Sequence, residues 1–271
     1  MLTFGASAGA MHFGDGGHER AMSAALGIAL PHGFSLSVNP TYAWAQAAPT
    51  IDAITGRSVM PAQVQGMADL PVGIGYSHAL PGPGSPGFYA SLGATLPTGD
   101  TTAVGGGETS FGANFGVWME AGAGWSLGAG AGHTLSNGYA SGLGSIAPTT
   151  VSLSASHGVG PASMNIGYST EMGAMPAGTT HSQNFSGGAS VPLGGALALN
   201  VSGSLGRADG TQSWALAAGL GTTFADVAQV TPFAAVGQLA SALGMGRSLG
   251  KSRSAAAKAA VAARKAGKKK G

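Results

Sequence analysis

The sequence predicts an all-β fold: a closed antiparallel transmembrane β-barrel of about twelve strands, followed by a C-terminal basic tail that is partly helical or disordered. Three observations predict it: apolar residues alternate with small polar ones, charges are scarce, and short connections alternate with long ones. Only 8% of the 271 residues are charged, against about a quarter in an ordinary soluble domain. No window holds the roughly 18 consecutive apolar residues of a membrane helix, so strands are expected to cross the bilayer.

The alternation is clearest in the segment from Phe88 to Leu96, where apolar residues occupy every second position. Tyr89, Ser91, Gly93 and Thr95 lie between them, so one face of this strand is apolar and the other small and polar. The same period of two recurs along the chain and predicts twelve strands. Their predicted ranges are 2–13, 20–30, 33–46, 67–80, 87–97, 108–119, 123–134, 149–158, 161–170, 181–191, 195–205 and 211–224.

The connections between these strands predict a membrane barrel rather than a sandwich. After the even-numbered strands they are short and rich in proline and glycine, as at 81–86 and 158–161. After most odd-numbered strands they are longer, at 47–66, 98–107, 135–148 and 171–180. Outer-membrane barrels have short periplasmic turns and long extracellular loops, so this alternation orients the predicted barrel.

Aromatic residues near the predicted strand ends are expected to form the interface girdles of such a barrel. They are Tyr42, Trp44, Tyr76, Phe88, Trp125, Tyr168, Trp214 and Phe224. The opposite phase consists mostly of Gly, Ser, Ala, Thr and Asn. It predicts a lumen for a small, weakly charged solute. The alternatives are that the small residues only permit strong strand coiling, or that a loop or the tail plugs the lumen.

Four segments follow one another in a recognisable order: "SLSVNPTYAW" (35–44), "GMADLPVGIGYSHAL" (66–80), "GFYASLGATLPTGD" (87–100) and the glycine-rich run at 105–135. In this order they resemble the outer-membrane transporter family linked to the meta-pathway of phenol degradation. The resemblance covers about residues 20 to 224, and its most specific part is the turn Pro97, Thr98, Gly99 and Asp100. It implies a porin-like transporter of small hydrophobic or aromatic compounds.

Acidic residues near strand ends are candidates for a cation-attracting pore rim: Asp69, Asp100, Glu108 and Glu120. The alternative interpretation is that they are solvated turn residues. In the turn motif, Gly99 is expected to adopt positive φ. His78, His133 and His157 fall in the outward phase without a second ligand at metal-binding spacing, so neither a metal, a cofactor nor a catalytic site is predicted.

The chain is predicted to consist of a barrel at 1–224, which ends with the last predicted strand, an apolar connecting segment at 225–246 and a Lys/Arg/Ala-rich tail at 247–271. The charge distribution separates the tail from the rest of the chain. Residues 1–246 carry three arginines against ten acids, a net charge of −7, whereas the tail carries nine basic residues and no acid. The tail is a candidate site for anionic lipid or envelope polymers. Its candidate residues are Lys251, Arg253, Lys258, Arg264, Lys265, Lys268, Lys269 and Lys270.

The functional prediction is a passive pore or transporter in the outer membrane of a Gram-negative bacterium, with the bilayer and a small solute as partners. One alternative is a plugged, anchoring barrel whose tail binds the envelope. The other is a soluble glycine-rich β protein whose tail binds nucleic acid, which is the only interpretation with a nucleic-acid partner. The first residues lack the basic and apolar regions of a secretory signal. Three explanations stay open: the signal peptide is absent from this numbering, the start codon is wrongly placed, or the protein is not exported.

Overall fold

The computed structural model describes residues 2–14, 16–51, 57–99, 109–136, 149–172, 182–194, 197–208 and 211–222. Nearly all of these residues lie in strands. The strands are β1 (Leu2–Phe13), β2 (His18–Ala29), β3 (Phe34–Val38), β4 (Thr41–Gln46), β5 (Thr50–Ile51), β6 (Ser58–Val59), β7 (Val64–Met67), β8 (Leu70–Ala79), β9 (Gly87–Leu96), β10 (Ser110–Gly122), β11 (Trp125–Ser136), β12 (Thr149–Val159), β13 (Ala162–Met172), β14 (Gln183–Gly194), β15 (Leu197–Ala208) and β16 (Thr211–Thr222). Among the described residues no helix is long and apolar enough to cross a membrane.

The strands form a closed barrel of twelve antiparallel staves. Neighbours in sequence pair with one another from β8 through β16, and β1 pairs with both β2 and β16, which closes the ring. Two staves each consist of two strands, β3 with β4 and β7 with β8, since β3 and β4 both pair with β2. The hairpin of β5 and β6 lies outside the ring. The predicted fold class and number of strands are therefore confirmed.

The two interruptions in the ring have local causes. Pro40 separates β3 from β4 because it has no N–H for the ladder, but the register is the same on both sides and its carbonyl still accepts from Ala24 N–H at 3.0 Å. Ala68 and Asp69 separate β7 from β8 and shift the register by one residue, as a β-bulge does. Asp69 is thus placed at a kink in the fourth stave.

The two ends of the barrel differ in the length of the segments that connect its strands. The segments 30–33, 80–86, 123–124, 160–161 and 195–196 connect strands at one end, called here the short-turn end. The segments 14–17, 47–63, 97–109, 137–148, 173–182 and 209–210 connect strands at the other end, called here the long-loop end. Ala123 and Gly124 both have positive φ, of 49° and 78°, as a two-residue type I′ hairpin requires. The alternation of loop lengths agrees with the sequence prediction except at 14–17 and 209–210, where the links at the long-loop end are short.

Most predicted strand boundaries agree with the structure within two or three residues, and β1 coincides with its predicted range. One difference concerns Pro192, at which a strand was expected to stop: β14 continues to Gly194, with an irregular register between Pro192 and Gly194. Proline is tolerated there because the ladder is already broken at the strand end. Phe224, the connecting segment and the tail lie outside the described residues.

The alternation gives the wall one apolar outer face and one small, polar inner face. Large apolar side chains on the outer face are exposed, including Leu92, Phe115, Leu153, Ile166, Leu205 and Leu216. They form cross-strand pairs with one another or with small apolar residues, such as Leu153 with Ala129. This apolar surface extends around the whole ring, which is the arrangement of a barrel surrounded by lipid.

Aromatic rings on the outer face lie in two belts. At the short-turn end, Phe34, Tyr76, His78 and Phe88 form a continuous group, with ring centroids 4.9 Å apart for Phe34 and Tyr76. The belt continues where the rings of Trp125 and His157 stack at 4.5 Å. At the long-loop end the pairs are Tyr42 with Trp44, His12 with Trp214, and Tyr168 with Phe185. The histidines that lie in these belts contact aromatic rings.

Candidate functional site

The inner wall of the barrel is lined mainly by small polar side chains and glycine. Cross-strand partners on this face include Gly73 with Gly93, Asn114 with Gly132, Ser154 with Gly128, Ser186 with Ser204 and Asn200 with Gly219. Because most inner positions carry glycine or a short polar side chain, the space near the barrel axis is left to loops, water or solute.

Many hydroxyls of the inner wall are bound to neighbouring strands. The Oγ atoms of Ser7 and Ser23 are 2.7 Å apart, and Ser154 Oγ donates to the Gly128 carbonyl at 3.4 Å. Asn114 Nδ2 donates to Ser91 Oγ at 3.3 Å, and both residues are on the inner face. These bonds hold the short side chains against the wall, so the hydroxyl and amide groups of this lining are fixed in position.

Two large aromatic residues interrupt this small-residue lining. Tyr89 on β9 faces inward opposite Gly116, and Trp118 on β10 faces inward opposite Gly87. The rings lie over the glycines: a Cβ added to Gly116 would overlap the Tyr89 ring, and one added to Gly87 would overlap the Trp118 indole. The Tyr89 hydroxyl reaches further, to 2.7 Å from the Cβ position of Gly130. Each aromatic ring therefore occupies the space left by a glycine on the neighbouring strand.

The charged residues on the inner face of the described strands are all acidic. Glu19, Glu120 and Glu171 occupy inward positions, as shown by their inward partners in the ladders. Arg20 and Arg207 are paired with the outward residues Trp44 and Gln183, at the long-loop end. The inner face of these strands is thus negatively charged, and their arginines lie on the opposite face.

A tightly packed cluster covers the inner wall near the long-loop end. Ala21, Ala43 and Ala45 are buried, and Met11 and Val64 pack against them. Glu19 lies opposite Ala45, is only 3% exposed, and its Oε2 atom has no hydrogen-bond partner among the described residues. A carboxyl group in such apolar surroundings is energetically costly.

The predicted turn motif contacts the bulge on the neighbouring stave. Gly99 N–H donates to Asp69 Oδ1 at 3.1 Å, and Thr98 N–H donates to the Leu96 carbonyl at 2.8 Å. Gly99 does not adopt the expected positive φ. Glycine is needed there for a different reason, because a Cβ would lie 2.7 Å from the Met67 carbonyl oxygen. This contact between two motifs 30 residues apart was not predicted, since sequence spacing gives no information on cross-strand neighbours.

The acidic residues predicted at a pore rim do not all lie together. Asp69 is at the long-loop end, whereas Glu120 is at the short-turn end, where its backbone N–H donates to the Gly84 carbonyl. Asp100, Glu108 and the basic tail residues lie outside the described residues. His78 and His157 are on the outer face, as is His133, whose Nδ1 is 2.9 Å from Thr149 Oγ1. In the described part of the chain no group of three His, Asp or Glu side chains could hold a metal ion.

No protein-family model matches this sequence, and no curated protein does. Among solved structures the chain is similar to the COG4313 outer membrane channel from Pseudomonas putida F1, with a TM-score of 0.59 and 12% identity, over 82% of this chain and 95% of that chain. It is also similar to the KdgM porin, with a TM-score of 0.51 and 9% identity, over 81% of this chain and 99% of that chain. A complex of the KdgM porin with disordered oligogalacturonate gives the same TM-score at 10% identity.

At these identities the likeness shows the fold, which is that of an outer-membrane channel barrel. The finer resemblance to transporters of the phenol meta-pathway stays a prediction.

Proposed function

We propose that the chain is a passive channel for small hydrophobic or aromatic compounds in the outer membrane of a Gram-negative bacterium. The observation that carries the proposal is the pairing of a continuous apolar outer face with a small-residue inner face in a closed ring of twelve staves. The likeness to outer-membrane channels supports the same role. The long loops would face the exterior and the short turns the periplasm. The proposal assigns the chain no catalytic role.

The charge of the inner face narrows the class of solute. A polyanion, such as the oligogalacturonate bound by the KdgM porin, would meet Glu120 and Glu171 without a basic residue on the inner face of the described strands. Like charges in a confined low-dielectric channel repel strongly. Neutral or cationic solutes therefore fit this wall better than anions.

Planar-bilayer conductance of the full-length protein tests the channel. A matched pair of variants on β15 gives the control, because Ser202 faces inward and the neighbouring Val201 faces outward. We expect Ser202→Trp to reduce the single-channel conductance and Val201→Trp to leave it unchanged. Folded protein, identified by heat-modifiable gel migration, that never conducts in any reconstitution would overturn the proposal in favour of a plugged, anchoring barrel.

We propose as a second role that the basic tail binds anionic lipid or envelope polymers on the periplasmic side. The supporting observation is that β16 ends at Thr222, on the short-turn end, so residues 247–271 follow from that end of the barrel. Full-length protein should bind anionic liposomes in a salt-dependent manner, at about 1 kcal/mol per basic residue near the surface. A chain ending at Phe224 should conduct equally well but lose this binding, and equal binding by both forms would refute the tether.

A further inference from the structure

We infer that Tyr89 and Trp118 form a stacking site for planar aromatic solutes on the inner wall. The two residues are called here the aromatic ledge. This inference rests on the proposed channel function and names the feature of the wall that would select its solutes.

The aromatic ledge lies on two adjacent strands of the inner wall. Tyr89 and Trp118 lie on the adjacent strands β9 and β10, two ladder positions apart. Tyr89 is opposite Gly116 and Trp118 is opposite Gly87, so both rings project from the same patch of inner wall. Among the inner positions of the described strands, the other aromatic residue is Phe13, close to the long-loop end. The ledge is therefore a local concentration of ring surface in an otherwise small-residue lining.

The rings of the ledge extend over glycines of the adjacent strands. Atoms of both rings occupy the places that Cβ atoms of Gly87 and Gly116 would take, so each ring lies against the backbone of a neighbouring strand. Both side chains are only half-buried, so part of each ring is accessible from the inside of the barrel. The wall behind the rings holds them in place, and their accessible surface is available to a passing molecule.

Polar and acidic side chains lie beside the ledge on the same face. Ser91 and Asn114 lie next to Tyr89 and Gly116 on the same face and are hydrogen-bonded to each other at 3.3 Å. Glu120 follows Trp118 by two residues on the inner face of β10, a spacing of about 7 Å along a strand. A planar ring could stack on the ledge while its hydroxyl or ammonium group meets these oxygens. The acidic neighbour favours neutral and cationic rings over anionic ones.

The chemical class is therefore a planar aromatic ring, uncharged or positively charged. Offset stacking on an aromatic face is stronger than contact with a saturated ring of the same size, even though the saturated ring is more hydrophobic. A site that binds through hydrophobic area alone would show the opposite preference. This difference distinguishes a stacking ledge from side chains that only fill space in the wall.

The test uses two permanently charged probes with the same head group, benzyltrimethylammonium and (cyclohexylmethyl)trimethylammonium. Each is added to the full-length protein in planar bilayers, and the residence time of current blockades is measured. We expect the benzyl probe to reside about threefold to tenfold longer in the wild type, the range that aromatic pairs contribute. Tyr89→Leu and Trp118→Leu should each bring the two residence times closer together, whereas Tyr89→Phe should preserve the difference.

Phe115→Leu is the matched control, because Phe115 lies on β10 between Asn114 and Gly116 but faces outward. It should leave the residence times unchanged. If the leucine variants form no channels, Gly116→Ala provides a second perturbation, because its methyl group displaces the Tyr89 ring from the wall. This variant should also shorten the residence of the benzyl probe.

The outcomes separate this inference from the channel proposal. Wild-type protein that conducts potassium chloride but retains both probes equally would overturn the ledge and leave the channel intact. So would a benzyl preference that survives in both leucine variants. Longer blockades by phenylmethanesulfonate than by the benzyl cation would overturn the charge preference. Protein that never conducts would remove the channel and the ledge together.

Discussion

At the scale of single residues, close backbone approach explains several glycines of this chain. Gly99 lies against the bulge at Ala68 and Asp69, where a Cβ would come within 2.8 Å of the Ala68 carbonyl carbon and the Asp69 nitrogen. Gly93 on β9, six residues earlier, has only an ordinary contact, 3.7 Å from the Val72 carbonyl oxygen to its Cβ position. The two positions therefore tolerate a methyl group very differently.

Gly99→Ala should destabilise the folded barrel by about 1–3 kcal/mol, because backbone atoms of the turn or of the bulge at Met67 to Asp69 must shift to accept the methyl group. Gly93→Ala is the control and should have little effect. The measurement is urea-dependent folding in lipid vesicles, followed by heat-modifiable gel migration. Equal urea midpoints of folding for the two variants would show that the contact at Gly99 does not constrain the turn.

The buried carboxyl group of Glu19 leads to a second prediction at this scale. Glu19→Met replaces a buried polar group by a side chain of similar length among Ala21, Ala43, Ala45 and Met11, and should stabilise the barrel by about 1–3 kcal/mol. Glu120→Met, at an exposed inner position, is the control and should change stability little. A loss of stability in Glu19→Met would indicate that the carboxyl group makes a favourable interaction beyond the described residues.

The residue scale is also where sequence reasoning was least informative. The turn at Pro97 to Gly99 was recognisable from composition alone. The reason for its glycine was not, because that reason is a strand 30 residues earlier in the chain. The positions of Tyr89 and Trp118 on the inner phase follow from the alternation, but their seating over Gly87 and Gly116 depends on register, which a single sequence does not specify.

At the scale of strands, the two faces have opposite requirements. β12 illustrates this, since Leu153 is 61% exposed on the outer face and Ser154 beside it faces inward. The same substitution at these adjacent positions therefore meets lipid in one case and the lumen in the other. The prediction of strands succeeded for this reason: a period of two is a local signal that survives without knowledge of the partner strands.

Leu153→Arg should destabilise the barrel in vesicles by about 2–4 kcal/mol, the cost of a basic side chain near the middle of the bilayer. The Ser154→Arg variant should lose much less folding stability and should shift the ion selectivity of the channel towards anions. Urea titration in vesicles measures the first effect and reversal potentials measure the second. If both arginines were equally harmful to folding, the assignment of the two faces would be wrong.

At the scale of the whole molecule, the distribution of charge is uneven between the faces of the wall. The inner face of the described strands carries glutamates, while Arg20 and Arg207 lie on the outer face. This separation was only partly visible in the sequence. The net charge of −7 over residues 1–246 was evident, but which acids share a face required the register of all twelve staves.

A channel with this wall should prefer potassium over chloride. In a potassium chloride gradient the reversal potential should lie towards the equilibrium potential of potassium. The shift should be larger at about 0.1 M salt than at about 1 M salt, because the Debye length falls to roughly 3 Å at the higher concentration. The double variant Glu120→Gln with Glu171→Gln should reduce the preference, and Arg207→Gln on the outer face should leave it unchanged. An anion preference in the wild type would contradict the inward placement of the glutamates.

The closure between β1 and β16 has a consequence for how the molecule is assembled. Gly5 pairs with Gly221, so the first and last described strands, separated by almost the whole described chain, are neighbours in the finished ring. The eleven earlier staves therefore have an unpaired edge until the twelfth is in place. No shorter portion of the chain can pair all of its backbone N–H and C=O groups inside a bilayer. Insertion must then be nearly all-or-none: a nascent chain that stops before Thr211 has a hydrogen-bonding edge on β1 with nothing to bind it.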